Sequence, residues 1–185
     1  MAENSQNVYV AAPKAGGAIW SAPAGTPLPT DATTALSEAY KCLGLISDDG
    51  ISREVETDSE DIKAYGGKVV KTVQTSRKET VKFTPIETNA QTLAAQFGDD
   101  NVVMGEDGNI TVLHNAKQRP TRVYVIETLL DEAKVSRDVI PFGRVTEVGE
   151  QKYADGEAVA SEITLTCEVD ADGNTMATYI AEVVG

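Results

Sequence analysis

The stretch KVVKTVQTSRKETVKFTPI, residues 68–86, decides the fold class. Val69, Val73, Val81 and Phe83 are its apolar positions, with Lys71, Thr75, Thr80 and Lys82 as their polar partners. Alternation of this kind sends successive side chains to opposite faces of a pleated strand. The spacing predicts two strands, 68–75 and 79–86, turning around Ser76-Arg77-Lys78 as a half-exposed antiparallel hairpin.

Towards the C-terminus, Asn89 is placed to cap a helix over Ala90–Phe97, with Leu93, Ala94 and Phe97 on its buried side and Gly98 ending it. Beyond it the pattern is strand after strand: Asn101–Met104, Ile110–His114, Thr121–Leu130, Val139–Thr146, Ala158–Cys167 and Met176–Val184. Glu106–Asn109 and Asp170–Asn174 are the turns between neighbours. Regular short strands with few helices predict a mainly β fold: two packed antiparallel sheets, sandwich or barrel-like, with one or two short flanking helices. No internal repeat at a solenoid or propeller period is present.

Towards the N-terminus the sequence divides by charge. Asp48, Asp49, Glu54, Glu56, Asp58, Glu60 and Asp61 form an acidic band, and Lys63, Lys68, Lys71, Arg77, Lys78 and Lys82 a basic one. Tyr65-Gly66-Gly67 is a joint between them, and 47–66 is expected to be a flexible loop. Ala35–Leu43 has apolar residues at helical spacing (Leu36, Ala39, Tyr40, Leu43), caps available at Asp31, Thr33 or Thr34, and Gly44 at its end, which predicts a second short helix. Residues 1–34 are rich in Ala, Pro, Gly, Thr and Ser. A short strand is possible over Asn7–Ala11, but Gly16-Gly17, Pro23, Gly25, Pro27 and Pro29 speak against helix or central strand after Pro13. An extended arm is expected there, of the kind that becomes ordered on a neighbouring subunit.

The chain has 185 residues, which suits one domain over 1–185. Apolar residues make up 41%, enough for a core, and aromatics only 5%, too few for a large stacking or carbohydrate-binding surface. A formal net charge of −13 disfavours gripping nucleic acid or an anionic membrane, and suits a surface that stands near DNA without holding it. Cys42 and Cys167 lie in no C-x-x-C pair and read as free, buried thiols. The start, Met1-Ala2-Glu3-Asn4, carries no basic and apolar leader, and no stretch approaches a membrane span, so the expected place of synthesis is the cytoplasm.

Catalytic and cofactor chemistry finds no foothold. His114 is the only histidine and has no Cys or acidic partner at ligand spacing, so no metal site is assigned. The Asp170–Asn174 turn has Thr175 and Ala181 where a calcium loop needs Gly and Glu. Gly16-Gly17 lacks the Lys-Ser/Thr of a phosphate loop, and no Gly-x-Ser-x-Gly elbow occurs. The many carboxylates read as a solvated surface. The expectation is a non-catalytic protein with no cofactor.

An ordered series of motifs resembles the siphophage major tail (tail-tube) protein family. It begins with Gly25-Thr26-Pro27-Leu28-Pro29-Thr30-Asp31 and runs on through Leu43-Gly44-Leu45-Ile46-Ser47-Asp48-Asp49-Gly50-Ile51. Asp61-Ile62-Lys63-Ala64-Tyr65-Gly66-Gly67, Phe83-Thr84-Pro85-Ile86-Glu87-Thr88-Asn89 and Phe97-Gly98-Asp99-Asp100-Asn101-Val102 continue it. The resemblance covers residues 25–102; the later strands agree in general pattern.

The resemblance implies a two-sheet β fold with a flanking helix. It also implies hexameric rings whose inner sheets join into one barrel, and stacking of those rings into a hollow tube. Its implied partners are further copies of itself, the tape-measure protein, the tail terminator and the distal tail or baseplate proteins. DNA passes through the lumen without specific binding, no membrane is involved, and the tail is assembled in the host bacterial cytoplasm. Some relatives add an Ig-like C-terminal domain; here the sequence ends in Val183-Val184-Gly185 with the last strand, and none is expected. The inter-subunit residues expected are Asp48, Asp49, Glu54, Glu56, Asp58, Glu60, Asp61, Lys63, Lys68, Lys71, Arg77 and Lys78, with Pro27, Leu28 and Pro29 of the arm. In this reading the acidic band of one copy meets the basic band of the next. Lumen charge would come from Glu162, Glu168 and Glu182. Rival readings are the inner-tube subunit of a contractile tail or injection system, a ligand-binding β-sandwich such as an adhesin or carbohydrate module, and an enzyme.

Overall fold

The computed structural model describes residues 3, 5, 8–131 and 134–183. It is mainly β, with two antiparallel sheets and one α-helix. The expected strand at Asn7–Ala11 begins outside these residues, as does the end of Met176–Val184.

The larger sheet is built on two strands, β8 (Arg122–Leu130) and β9 (Lys134–Val148), paired from Arg122↔Gly143 to Leu130↔Lys134. β8 is the sequence VYVIE flanked by polar residues, and it is covered on both faces. Val123 and Val125 join one apolar cluster, and Tyr124 and Ile126 the other. Gly143 makes room for the Tyr124 ring, because a Cβ there would stand 2.6 Å from it. The outer edge of β8 takes β1 (Ala11–Pro13) and then β2 (Ile19–Pro23), and β3 (Lys41–Cys42) pairs with β2. The far edge of β9 takes β10 (Ile163–Glu168) and then β11 (Ala177–Glu182), running in the same direction one after the other. β10 in turn pairs with β5 (Val69–Pro85), and β5 with β4 (Ile46–Lys63). The sheet of nine strands does not close into a barrel. The second sheet is the small hairpin β6 (Val102–Met104) and β7 (Ile110–Val112).

Two layers cover the large sheet. Helix α1 (Ala90–Phe97) lies against the face carrying Tyr124, Ile140, Ile163 and Leu165, and contributes Ala95 to that core. Its limits are those that the sequence predicts. The Asn89 carboxamide accepts from the Gln91 and Thr92 amides, and the Thr92 hydroxyl accepts from the Asn89 amide, a reciprocal cap. The other face is covered by the segment 24–40, whose Leu36 and Tyr40 pack with Trp20 over Val123, Val125 and Val139. Each fully buried Val, Leu or Ile of these clusters is worth roughly 1.5–3 kcal/mol.

Three expectations are corrected here. First, Ala35–Leu43 is not helical. The Asp31 carboxylate takes the amides of Thr33 and Thr34 in a local turn. The chain then makes a further turn, with the Tyr40 amide donating to the Ser37 carbonyl, so that the Tyr40 hydroxyl reaches the Pro27 carbonyl at 2.9 Å and Lys41–Cys42 pairs with β2. Sheet pairing and burial of Tyr40 and Leu43 outweigh a short helix's propensity. Second, the arm enters the sheet from Ala11, and β2 lies between β3 and β8 with Ile19 and Ala22 fully buried. Pro23 is tolerated because it ends the strand. Third, Ser76-Arg77-Lys78 is not a turn but the middle of β5, and of the expected loop 47–66 the residues up to Lys63 are strand. The reversal sits at Ala64–Lys68, where Gly66 and Gly67 have φ of 94° and 87°, which side chains resist. Ser76-Arg77-Lys78 offers no residue suited to that conformation.

Candidate assembly interface

The main feature of the surface is the hairpin of β4 and β5. Every residue from 52 to 78 is exposed, on both faces. Only the root of β5 belongs to the body, where Glu79, Val81 and Phe83 are buried and pair with Cys167, Leu165 and Ile163 of β10. Beyond Glu79 the sheet splits. β9 continues with β11 along its edge, while β5 departs with β4.

A polar knot holds the split. The buried Glu79 carboxylate accepts from Arg77 at 3.0 Å and from the Thr175 hydroxyl, and Arg53 lies 3.7 Å from its second oxygen. Arg77 also donates to Thr175 at 2.9 Å. A buried carboxylate needs such partners, since burying it unpaired would cost several kcal/mol. The Cys167 thiol lies nearby, and burial first, then the Glu79 charge, pushes its pKa up to about 12. Both cysteines are free; Cys167 is buried and Cys42 half-buried, in β3 rather than in a helix.

The structure places the predicted interface residues in two groups. The acidic residues Asp48 to Asp61 and Lys63 line β4, Lys71, Arg77 and Lys78 line β5, and Lys68 stands just before β5; the two bands thus lie side by side in one hairpin, with Glu56 facing Lys78 as the acid–base pair directly across it. Such exposed pairs set register more than stability. Both bands remain exposed, and so are the hairpin's apolar residues Val55, Ile62, Tyr65, Val69, Val70 and Val73. Pro27 and Leu28 lie exposed on the covering segment, far in sequence from the hairpin, and Pro29 is half-buried. Glu168, expected to supply lumen charge, is held by Arg144 at 2.6 Å, which lowers its pKa.

Sequence reasoning missed two features. One is the free edge of β11, which among the described residues pairs only with β9. The jog between β10 and β11 that frees this edge depends on the turn Asp170–Asn174, whose first carboxylate accepts from the Asp172 and Asn174 amides. The turn was legible; the splitting of the sheet behind it was not. The other is the anchor beneath the covering segment. Arg137, 1% exposed, donates to Glu127 at 2.6 and 3.1 Å and to the Asp31 carbonyl at 2.8 Å. Lys14 reaches the same Glu127 oxygen at 2.8 Å. Hydrogen bonds from the Thr34 side chain and backbone, then from Thr33, lower the Asp31 pKa to about 2.

Among the described residues there is no group of three or more His, Cys, Asp or Glu placed to hold a metal ion, and no helix long and apolar enough to cross a membrane. His114 sits edge-on to Phe97, ring centres 4.5 Å apart.

No curated protein matches the sequence. Among solved structures, the chain is similar to the sheath/tube terminator of an extracellular contractile injection system, PVC, in its extended state. The identity is 9% and the TM-score 0.36, over 70% of this chain and 83% of that one. It is also similar to the tube-terminating cap of the anti-feeding prophage, at 10% identity and a TM-score of 0.39, over 98% of this chain and 100% of that one. Residues 1–184 match the phage tail tube protein family, and the chain therefore belongs to that family as a structural protein of the phage tail.

Proposed function

We propose that the chain is the major subunit of a phage tail tube and works as a single tail-tube domain. Six copies form a ring, and rings stack into the conduit through which DNA leaves the virion. The observation that carries this reading beyond the family match is the hairpin 52–78, exposed along its whole length. A two-stranded hairpin with neither face packed is marginal in water. Its stability in the working protein therefore comes from something it lies against. The free edges of β4 and β11 make the same argument, since unpaired backbone N–H and C=O groups invite another strand.

In this reading the residues of the acidic band (Asp48, Asp49, Glu54, Glu56, Asp58, Glu60, Asp61) and of the basic band (Lys63, Lys68, Lys71, Arg77, Lys78) face neighbouring copies. Pro27, Leu28 and Pro29 of the covering segment contact them from the side. The tape-measure protein occupies the lumen during assembly in the host cytoplasm, and terminator and distal tail proteins close the two ends. With a net charge of −13, the tube repels DNA and lets it slide. Electron microscopy of concentrated purified protein tests the proposal. Hollow tubes of stacked rings are expected, and dispersed particles at every concentration would contradict it.

A further inference from the structure

We propose that a groove at the root of the hairpin receives the hairpin tip of a second copy of this chain. The inference rests on the reading that copies assemble, and adds to it which surface takes the tip.

The groove is about 750 Å³ and lies between β1 and the start of β4. Ala12, Pro13, Cys42 and Leu45 line it with small or apolar groups; Asp48 and Glu87 bring negative charge, and the one lysine of the lining, Lys14, is held by Glu127 at 2.8 Å. Leu45 is 64% exposed there, an apolar side chain with little of its own chain to cover it. Ser47, also in the lining, has its hydroxyl oxygen shut away from water with no partner among the described residues.

The tip has the complementary chemistry. Tyr65 is fully exposed, and Ile62 and Val70 are 53% and 59% exposed. Lys63 and Lys68 flank the turn. An aromatic side chain on a tight turn, ringed by lysines, suits a small apolar groove with acidic neighbours, because the ring supplies buried area and the charges fix orientation. The tip cannot fill its own groove. From Asp48 to Lys63 the chain is an extended strand, and at a rise of about 3.3 Å per residue it carries the turn that bears Tyr65 roughly 50 Å away. Tip and groove are different surfaces of one molecule, so their contact is heterologous and repeats from copy to copy.

Cys42 in the groove supplies the probe. Tyr65→Cys places a thiol on the tip, and the other native thiol, Cys167, is buried. Tubes of this variant treated with diamide are expected to give a ladder of disulfide-linked oligomers on non-reducing gels. Each link joins the tip of one chain to the groove of another, diamide accepting the two electrons and two protons. The ladder should vanish when Cys42→Ser is added. Should the variant alone not assemble, one part in ten of it within wild-type tubes should give linked dimers. Tubes without links, or links that survive Cys42→Ser, would overturn the groove assignment and leave the assembly reading standing. Failure of the unmodified chain to form tubes would overturn both.

Discussion

Arg77 donates to the Thr175 hydroxyl at 2.9 Å, joining two residues 98 positions apart at the point where the sheet divides. Both also bond the buried carboxylate of Glu79. The knot fixes where the body ends and the projecting hairpin begins, and so sets the direction in which the hairpin leaves.

Replacing that carboxylate should loosen the root of the hairpin. Glu79→Ala removes the acceptor of two hydrogen bonds, one of them charge-assisted, and should lower unfolding stability by about 1–3 kcal/mol. The cost stays below that of a fully buried ion pair because Arg53 and Arg77 are 51% and 42% exposed and can regain water. Urea titration measures it; an unchanged midpoint would show that the knot does not contribute.

The Arg137–Glu127 pair is the more costly one to break. Both side chains are at most 5% exposed, so Glu127→Ala leaves a guanidinium buried without its charge partner. A loss approaching the roughly 3–5 kcal/mol of a broken buried pair is expected, offset in part by the Asp31 carboxylate 3.9 Å from Arg137, and is read from the same titration. The covering segment should detach with it, since Arg137 also holds the Asp31 carbonyl.

Acid should weaken the same region through Asp31. Its folded pKa, about 2, lies below the ordinary 3.8, so the unfolded chain takes up the proton first. The stabilisation is complete above about pH 4 and is lost as pH falls towards 2. Glu168, lowered by Arg144, and Asp170, lowered by the Asn174 amide, act in the same direction. Thermal melts between pH 5 and 2 should fall less steeply for Asp31→Asn than for the wild type; parallel curves would exclude this role.

Reversing Glu54, Glu56 and Glu60 to lysine should stop tube growth while leaving the body folded. Within the chain only Glu56 faces a lysine, Lys78, and an exposed pair of this kind is worth about 0.2–1 kcal/mol. A large effect on assembly with a small one on melting would therefore come from contacts between copies. Normal tubes from the triple variant would remove the acidic band from the interface.

Much of the fold was legible because it is local. The helix Ala90–Phe97 announces itself through Asn89 and Gly98, and β8 through its run of β-branched residues. Where long-range pairing decided, periodicity misled. Leu36, Ala39, Tyr40 and Leu43 have helical spacing, yet Tyr40 and Leu43 are buried on either side of the short strand Lys41–Cys42 that β2 recruits. In the hairpin, the charge bands were visible as a division, but their pairing partner was not. The Gly66-Gly67 reversal lays the two bands on adjacent strands of one hairpin, a fact fixed by φ at two residues rather than by the alternation around them. The free edge of β11 had no local signal at all, because it arises from β10 and β11 sharing one side of β9.

The central claim is that a lone copy is incomplete along the hairpin and the β11 edge, and that identical copies complete it. Hydrogen exchange on free and tube-assembled protein tests it most directly. The amides on the unpaired edges of β4 (Ile46–Lys63) and β11 (Ala177–Glu182) should exchange fast in the free chain and slowly in the tube. Equal exchange in both states would contradict the account.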